Sequence, residues 1–524
     1  MTAKTRYDYL SGERTQFLDE AEEAAELTLP YLITKDQYSK GMRHLPTPWQ
    51  SVGAKCAVTL AAKLMQSMLP VQTSFFKLQV DESQLGQEFG PQIKSELDLS
   101  FAKIERTILE AIAASNDRVV VHEALLHLVV AGNALIYMGK DGLKVYPLNR
   151  YVVERDGDGN VIEIITKETI AKKLIEDQLP EDVLKQYDTV VDGSDDNVEE
   201  CDIYTHIKRD NNRYVWHQEV HGTILEKSYG KAPVDITPWI PLRFNTVDGE
   251  DYGRGRVGQF IGDLKSLEAL SQALVEGSAA AAKVVFTVSP SSTTKPSTLA
   301  NAGNGAIVQG RPDDIGVVQV GKTADFRTAF DMMQQLERRI NEAFLVMQVR
   351  QSERTTAEEV RLTQMELEQQ LGGLFSLLTT EFLLPYLNRI LNQFQKTGKI
   401  PRLPKDIVKP TIVAGVNALG RGQDRESLGQ FLTVISQTMG PEAVQKHINP
   451  EEVIKRLAAS QGIDVLNLVR SMQEIQAEQQ QAQQMAMQQQ QQEQQVAMMK
   501  TPMMDPSKNP AMAEQMQSPP PPEA

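Results

Sequence analysis

Residues Ala324 to Gln395 read ADFRTAFDMMQQLERRINEAFLVMQVRQSERTTAEEVRLTQMELEQQLGGLFSLLTTEFLLPYLNRILNQFQ. Phe326, Phe330, Met333, Leu336, Ile340, Phe344 and Leu345 recur at helical intervals, which predicts a helix to about residue 348. A short basic loop follows, Val349-Arg350-Gln351-Ser352-Glu353-Arg354. Thr355-Thr356-Ala357-Glu358 then opens a second helix, because a Thr hydroxyl and a Glu three residues on satisfy free N–H groups reciprocally. Its apolar side carries Val360, Leu362, Met365, Leu367, Leu371, Leu374 and Leu378. Unbroken to Gln395 it would span roughly 60 Å. Two weak points interrupt it, Gly372-Gly373 and Pro385. A helix of that length is a strut, and the rest of the chain must supply what covers its apolar side.

Upstream, residues 284–323 are strand-like and carry Pro290, Pro296 and Pro312, a small β-rich module between two helices. The helix before it runs from about Arg256 to Lys283, entered through the polar link Asp248–Gly253. Earlier still the pattern is α+β. Helices are predicted over 7–32, 50–69, 91–115 and 117–131, with a strand at Phe75–Val80. Ala134–Met138 and Leu143–Tyr146 flank Lys140-Asp141-Gly142, a hairpin signal. Val152–Glu154 and Val161–Ile165 flank a second turn, a charged helix is predicted over 168–188, and Asp192–Glu200 reads as a solvated loop. Strands near Cys201–Lys208, Arg213–Val220, Thr223–Lys227 and Trp239–Phe244 complete the region. Downstream, after Pro401, Pro404 and Pro410, short helices are predicted near 424–438, 441–447, 450–460 and 463–475. The Gln/Met-rich tail turns Pro-rich and cannot bury a core, so disorder is expected from about 497.

The 524 residues suggest several domains, and the formal net charge of −15 argues against a broad basic face that grips nucleic acid. Such a balance still suits a protein that lets a polyanion pass without holding it. Two cysteines, Cys56 and Cys201, give neither metal spacing nor a disulfide framework. No apolar region follows the first six residues, so no signal peptide is expected. The apolar run Leu125–Met138 is too short and polar to span a bilayer. The expectation is a soluble intracellular product.

Several motifs mimic chemistry. Gly316–Thr323, GVVQVGKT, fits the phosphate-binding P-loop pattern, but its inner residues are β-branched and read as a strand rather than a loop of phosphate-facing N–H groups. Gly253-Arg254-Gly255-Arg256-Val257-Gly258 fits a dinucleotide fingerprint without a surrounding βαβ unit, so a flexible helix entry is the better reading. Asp156–Asn160 starts like a calcium loop, yet Val161 and Lys167 stand where Gly and Glu are needed. His122 and His127 are five apart and share no helix face. No catalytic set, cofactor or metal site emerges. Arg350 and Arg354 are different: two cations on a loop between well-patterned helices of an acidic chain suit transient phosphate contact.

Several segments together, in order, resemble the portal, or head-to-tail connector, proteins of short-tailed phages of the T7 type. They are Pro46–Ala54, Leu69–Thr73, Leu128–Ala134, Asp202–Ile207, Gly262–Glu268, Glu353–Arg361, Leu371–Gly373 and Gly420–Asp424. The resemblance runs to roughly residue 470 and leaves the Gln/Met tail unmatched. It implies an α+β, mainly helical portal fold and a homo-oligomeric ring of about twelve subunits with cyclic contacts. The ring would sit at one capsid vertex of the virion after assembly in the host cytoplasm. Double-stranded DNA would pass through it during packaging and ejection. Implied partners are the major capsid and scaffolding proteins, the terminase large subunit, tail adaptor and nozzle proteins and internal core proteins, with no membrane, no cofactor and no enzymatic activity. By resemblance, residues 1–250 are a wing, 251–283 and 324–348 stem helices, and 284–323 a clip. Residues 349–354 are a channel loop that turns Arg350, Gln351, Ser352, Glu353 and Arg354 toward DNA, and 355–400 a long helix bending at Gly372, Gly373 and Pro385. Residues 401–475 are a helical crown, while 476–524, unmatched, are expected from composition to be a largely disordered tail. The alternatives carried forward are a P-loop ATPase built on Lys322 and a scaffold assembled through the Gln-rich tail.

Overall fold

The computed structural model describes residues 1–34, 45–70, 74–80, 91–140, 142–171, 200–282, 285–291, 295–303, 315–318, 323–346, 371–403 and 408–412, with 307, 309, 311, 313, 429, 431–438, 440 and 453. The channel-loop residues 349–354, the first half of the long helix, all but one residue of the short helices expected after 440 and the Gln/Met tail lie outside them. The chain divides into two compact units, Met1–Ala418 and Leu419–Ala524. In the second, residues 431–438 are helical and expose Phe431 and Val434.

The first unit is built on helix α4, Asp117–Ala131, whose residues from Ala124 to Ala131 are all buried. A helix apolar on every face belongs inside a core. Around it lie α1, Ala3–Glu26, and α2, Val52–Met68, with α3, Pro91–Ala114, alongside. Thr2 caps α1 by accepting from the Thr5 N–H, which starts the helix earlier than its apolar pattern indicates. On α2, Cys56, Leu60 and Leu64 stand at i, i+4 and i+8 and are wholly buried. Each such side chain contributes about 1.5–3 kcal/mol by leaving water.

Strand β1 is Phe76–Val80, β2 Asn133–Met138 and β3 Leu143–Tyr146. β2 and β3 form the expected hairpin, extended by β10, Trp239–Arg243, antiparallel to β2. A larger antiparallel meander runs β4, Tyr151–Arg155; β5, Val161–Ala171; β6, Glu200–Asp210; β7, Arg213–Val220; and β8, Thr223–Ile224. A strand absent from the sequence reading, β9 at Gly230–Pro233, pairs with the other part of β7. The expected charged helix over 168–188 is corrected at its start, because Glu168–Ala171 continue β5 and pair with β6. Glu168, one of its charges, instead meets Lys144 of β3 in the neighbouring sheet, and Lys167 just before it meets Asp202 of β6 at 2.9 Å.

Helices α5, Arg256–Gln259, and α6, Ile261–Ala282, replace the single expected helix, with Phe260 as a bend between them. Then come β11, Val285–Val288; the short helix α7, Pro296–Ala300; β12, Ile315–Val318; and α8, Thr323–Ala343. β11 and β12 are an antiparallel pair, so Gly316–Val318 of the P-loop-like motif are strand, as read from their β-branched side chains. Beyond, residues 371–378 are helical, Thr379–Leu383 form a π-helical turn, and α9 spans Leu384–Lys396. β13, Val408–Ile412, pairs with β1 although the sequence places only helices after Pro401. Pro410 is tolerated there because it faces Leu78, whose own N–H turns away to Glu105 at 2.8 Å.

Candidate functional site: a helical hairpin and its anchors

α6 and α8 form an antiparallel hairpin. Asp263 meets Arg339 at 2.8 Å near one end, Ser271 Oγ approaches Met333 Sδ at 3.7 Å midway, and Gly277 lies against Phe326 toward the other. A Cβ on Gly277 would stand 2.6 Å from the Phe326 ring, so glycine leaves room for that ring against α6. Leu264, Leu267 and Ile340 are fully buried where the hairpin meets the core. Farther out, Val275, Phe330 and Met332 are 53%, 46% and 51% exposed, and the β11–β12 pair caps that end.

The base of the hairpin is a backbone junction. Gly132 ends α4 in the left-handed region, φ 76°, and a Cβ there would lie 2.4 Å from the Gly255 nitrogen. Cβ atoms on Gly253 and Gly255 would meet Gly132 O and Val130 O at 2.8 and 2.5 Å. Asn133 closes the junction: its Nδ2 donates to Gly253 O, and its Oδ1 accepts from Gly253 N–H, both at 2.7 Å. The dinucleotide-like glycines are therefore explained by chain packing. Gly258, the last of that motif, has open space around it.

Two cations hold the end of α8. Arg256 Nη2 donates to Ala343 O at 2.8 Å, and Lys63 Nζ of α2 donates to Leu345 O. Burial lowers the pKa of both. Cys56 Sγ approaches Asn341 Oδ1 at 3.7 Å from the same helix α2, and burial pushes its thiol up to about 11.

The π-turn is clamped to the β-strands by a carboxylate between two arginines. Glu381 accepts from Arg243 N, Nε and Nη2 at 3.0, 3.0 and 2.6 Å, and Arg155 Nη1 stands 3.9 Å away. Their side chains are 13%, 10% and 4% exposed respectively for Glu381, Arg243 and Arg155. Arg155 is further held by Asp251, Gly159 and Pro241 oxygens. Burial lowers the Arg155 pKa against the opposing pull of Glu381. From α9, the Tyr386 hydroxyl donates to Asp117 Oδ2 at 2.8 Å, at the first turn of α4.

The residues singled out from sequence divide. Arg350, Gln351, Ser352, Glu353 and Arg354 lie outside the described residues. Gly372 and Gly373 lie within the helical stretch 371–378, and a Cβ on either would meet nothing within 4 Å. Pro385 falls in the first turn of α9, directly after the π-turn, where a ring without an N–H is accommodated. Lys63, Arg155, Arg243, Arg256 and Glu381 carried no periodic signal, because the contacts by which they join separate elements span 80 or more residues of sequence. The Asp156–Asn160 segment is a turn as read: the Asp156 carboxylate accepts from Asp158 N and Asn160 N. Among the described residues no cluster of His, Cys, Asp and Glu could hold a metal, and no helix is long and apolar enough to cross a membrane.

The profile of the family described as "Bacteriophage head to tail connecting protein" matches residues 1–469. The chain belongs to that family. Among relatives of this connector are the portal protein of Enterobacteria phage T3, 37% identical over 486 residues covering 91% of this chain and 89% of that protein. The portal protein of Escherichia phage T7 is likewise 37% identical over 486 residues, 90% of this chain and 89% of that one. That of Enterobacteria phage SP6 is 30% identical over 480 residues, 90% of each. The connector is thus a portal protein of the T7-like type. Solved structures similar to it include the virion of a native gene transfer agent particle and the neck of an empty one. They are 11% and 12% identical, with TM-scores of 0.37 and 0.39 over 79% of this chain and 90% of theirs. These scores are low, and the assignment rests on the sequence matches. Nothing in the matches favours a P-loop ATPase or a Gln-rich scaffold.

Proposed function

We propose that this connector assembles as a closed ring of about twelve copies at one capsid vertex, with heterologous contacts between neighbours. Double-stranded DNA passes through its centre during packaging and leaves by the same route. The terminase large subunit docks during filling, and tail adaptor and nozzle proteins replace it afterwards. Capsid, scaffolding and internal core proteins contact it during assembly in the host cytoplasm. The ring catalyses nothing itself.

The observation that carries this reading is the match to portal proteins along nearly the whole chain. The helical hairpin supports it. Val275, Phe330 and Met332 leave apolar surface exposed on a projecting element of a single copy, which is the surface a neighbour would cover. In this reading residues 1–250 are the wing, α6 and α8 the stem, the β11–β12 module the clip, 401–475 the crown, and the Gln/Met tail an appendage. Gly372, Gly373 and Pro385 are where the long helix bends. Arg350 and Arg354 on the loop 349–354 touch DNA phosphates in passing, since each lasting phosphate contact would add salt-sensitive affinity and act as a brake. Replacing both arginines by Ala leaves ring assembly intact and alters DNA packaging or retention. Unchanged genome content in particles carrying Arg350→Ala and Arg354→Ala counts against the loop assignment.

A further inference from the structure

We propose that Lys63, Arg256 and Leu345 form a lock that fixes the direction in which the chain leaves α8, and so act as positioning residues for the DNA-facing loop. The functional half rests on the loop reading above; the structural half does not. α8 ends in a double reversal: Val346 N–H donates to Asn341 O at 2.8 Å and Leu345 N–H to Glu342 O at 3.1 Å. That pattern places the residue between in the left-handed region, where glycine is the usual occupant. Here it is Leu345, φ 58°, a conformation that a residue with a Cβ adopts rarely. Its side chain, half-buried against the core, occupies a place that glycine would leave empty.

The strained residue is the one that Lys63 holds, by donating to its carbonyl oxygen. Arg256 takes the Ala343 carbonyl two residues earlier. Arg256 is itself set by Gln259 at 3.0 Å and by the Phe260 ring, 5.0 Å away, which in turn lies against Phe344. The two cations come from different elements, α2 and α5, and converge on one turn. Neither has an ion-pair partner among the described residues. Their counter-charge is the negative end of α8 and its free carbonyls. The burial that lowers both pKa values is tolerated for that contact. A cap serving stability alone would use the glycine turn. A strained turn held by two outside cations instead fixes one exit path.

The test joins hydrogen exchange on purified full-length protein to genome retention in particles. In Lys63→Met, the amides of Phe344, Leu345 and Val346, which close the end of α8, exchange about tenfold faster, as expected for loss of one charge-assisted bond, while α6 and the middle of α8 keep their protection. Lys63→Arg restores the slow rate. Arg256→Leu gives the same local change through the other cation, and keeps the question open to test should Lys63→Met fold poorly. In particles, Lys63→Met alters retention in the same sense as Arg350→Ala with Arg354→Ala, and adding it to that pair changes nothing further. Unchanged exchange at Phe344, Leu345 and Val346 in both cation variants overturns the lock, whatever the loop does. Faster exchange with normal retention, beside a defective loop pair, overturns its functional role. A loop pair that retains genomes normally overturns the loop reading itself, and the functional half with it.

Discussion

Replacing Glu381 by Gln removes one negative charge from between two buried arginines while keeping the side chain's shape. Glu381 accepts three bonds from Arg243 and stands 3.9 Å from Arg155. Breaking a buried pair by removing one partner costs about 3–5 kcal/mol, because the partner's charge stays buried. Asp251 remains beside Arg155, accepting from its N–H at 2.7 Å, so the lower end applies, about 3 kcal/mol. The loss falls on the attachment of the π-turn and α9 to β10. Hydrogen exchange over 379–396 reads it: about 3 kcal/mol corresponds to roughly hundredfold lower protection. A second variant completes the cycle. Arg243→Met with Glu381→Gln removes the cation that Glu381 bonds directly, leaving only Arg155, which Asp251 still faces, and so recovers part of the loss. Protection within threefold of the parent in Glu381→Gln, or no recovery in the double variant, would refute the view that this carboxylate clamps the helix to the strands.

His127 is buried in α4, and burial alone lowers its pKa to about 4. The folded protein therefore keeps it neutral while the unfolded chain protonates near 6.5; stability is unaffected above about 6.5 and falls as pH drops from there toward 4, by up to about 1.4 kcal/mol per unit. His127→Leu flattens that slope in urea titrations at several pH values. Burial alone would raise the Glu163 pKa, but bonds from His206 and Arg6 outweigh it and hold it at about 2. Its stabilising contribution is complete above about 4.5 and lost as pH falls through 2, and Glu163→Gln removes the pH dependence of α1 protection in that window. Gly255→Ala forces a Cβ to within 2.5 Å of Val130 O and lowers soluble yield or melting temperature, whereas Gly258→Ala, in open space, changes stability by less than about 0.5 kcal/mol. Truncation at about residue 480 leaves ring assembly unchanged.

What could be read from residues alone was whatever is encoded locally. The Lys140-Asp141-Gly142 hairpin, the strand character of Gly316–Val318 and the α8 periodicity each follow from a few neighbouring side chains. The failures have a common cause in long-range pairing. Glu168–Ala171 read as the start of a helix although they pair along β6, and Glu168 meets Lys144 on another strand. The strand around Pro410 is not anticipated because its partner, Leu78, is more than 300 residues away. α8 ends at Ala343 rather than near 348, and nothing local announces the left-handed Leu345; Lys63 and Arg256 come from distant parts of the chain. The Gly253–Gly258 motif reads as a flexible helix entry, but its first two glycines are packed against Gly132 and Val130, a contact that only the fold reveals.

The central claim is that this connector works as a ring around a channel. Negative-stain imaging of the purified full-length protein tests it most directly. The account predicts end-on views of a closed ring with a central hole, and compact single copies without a hole would contradict it.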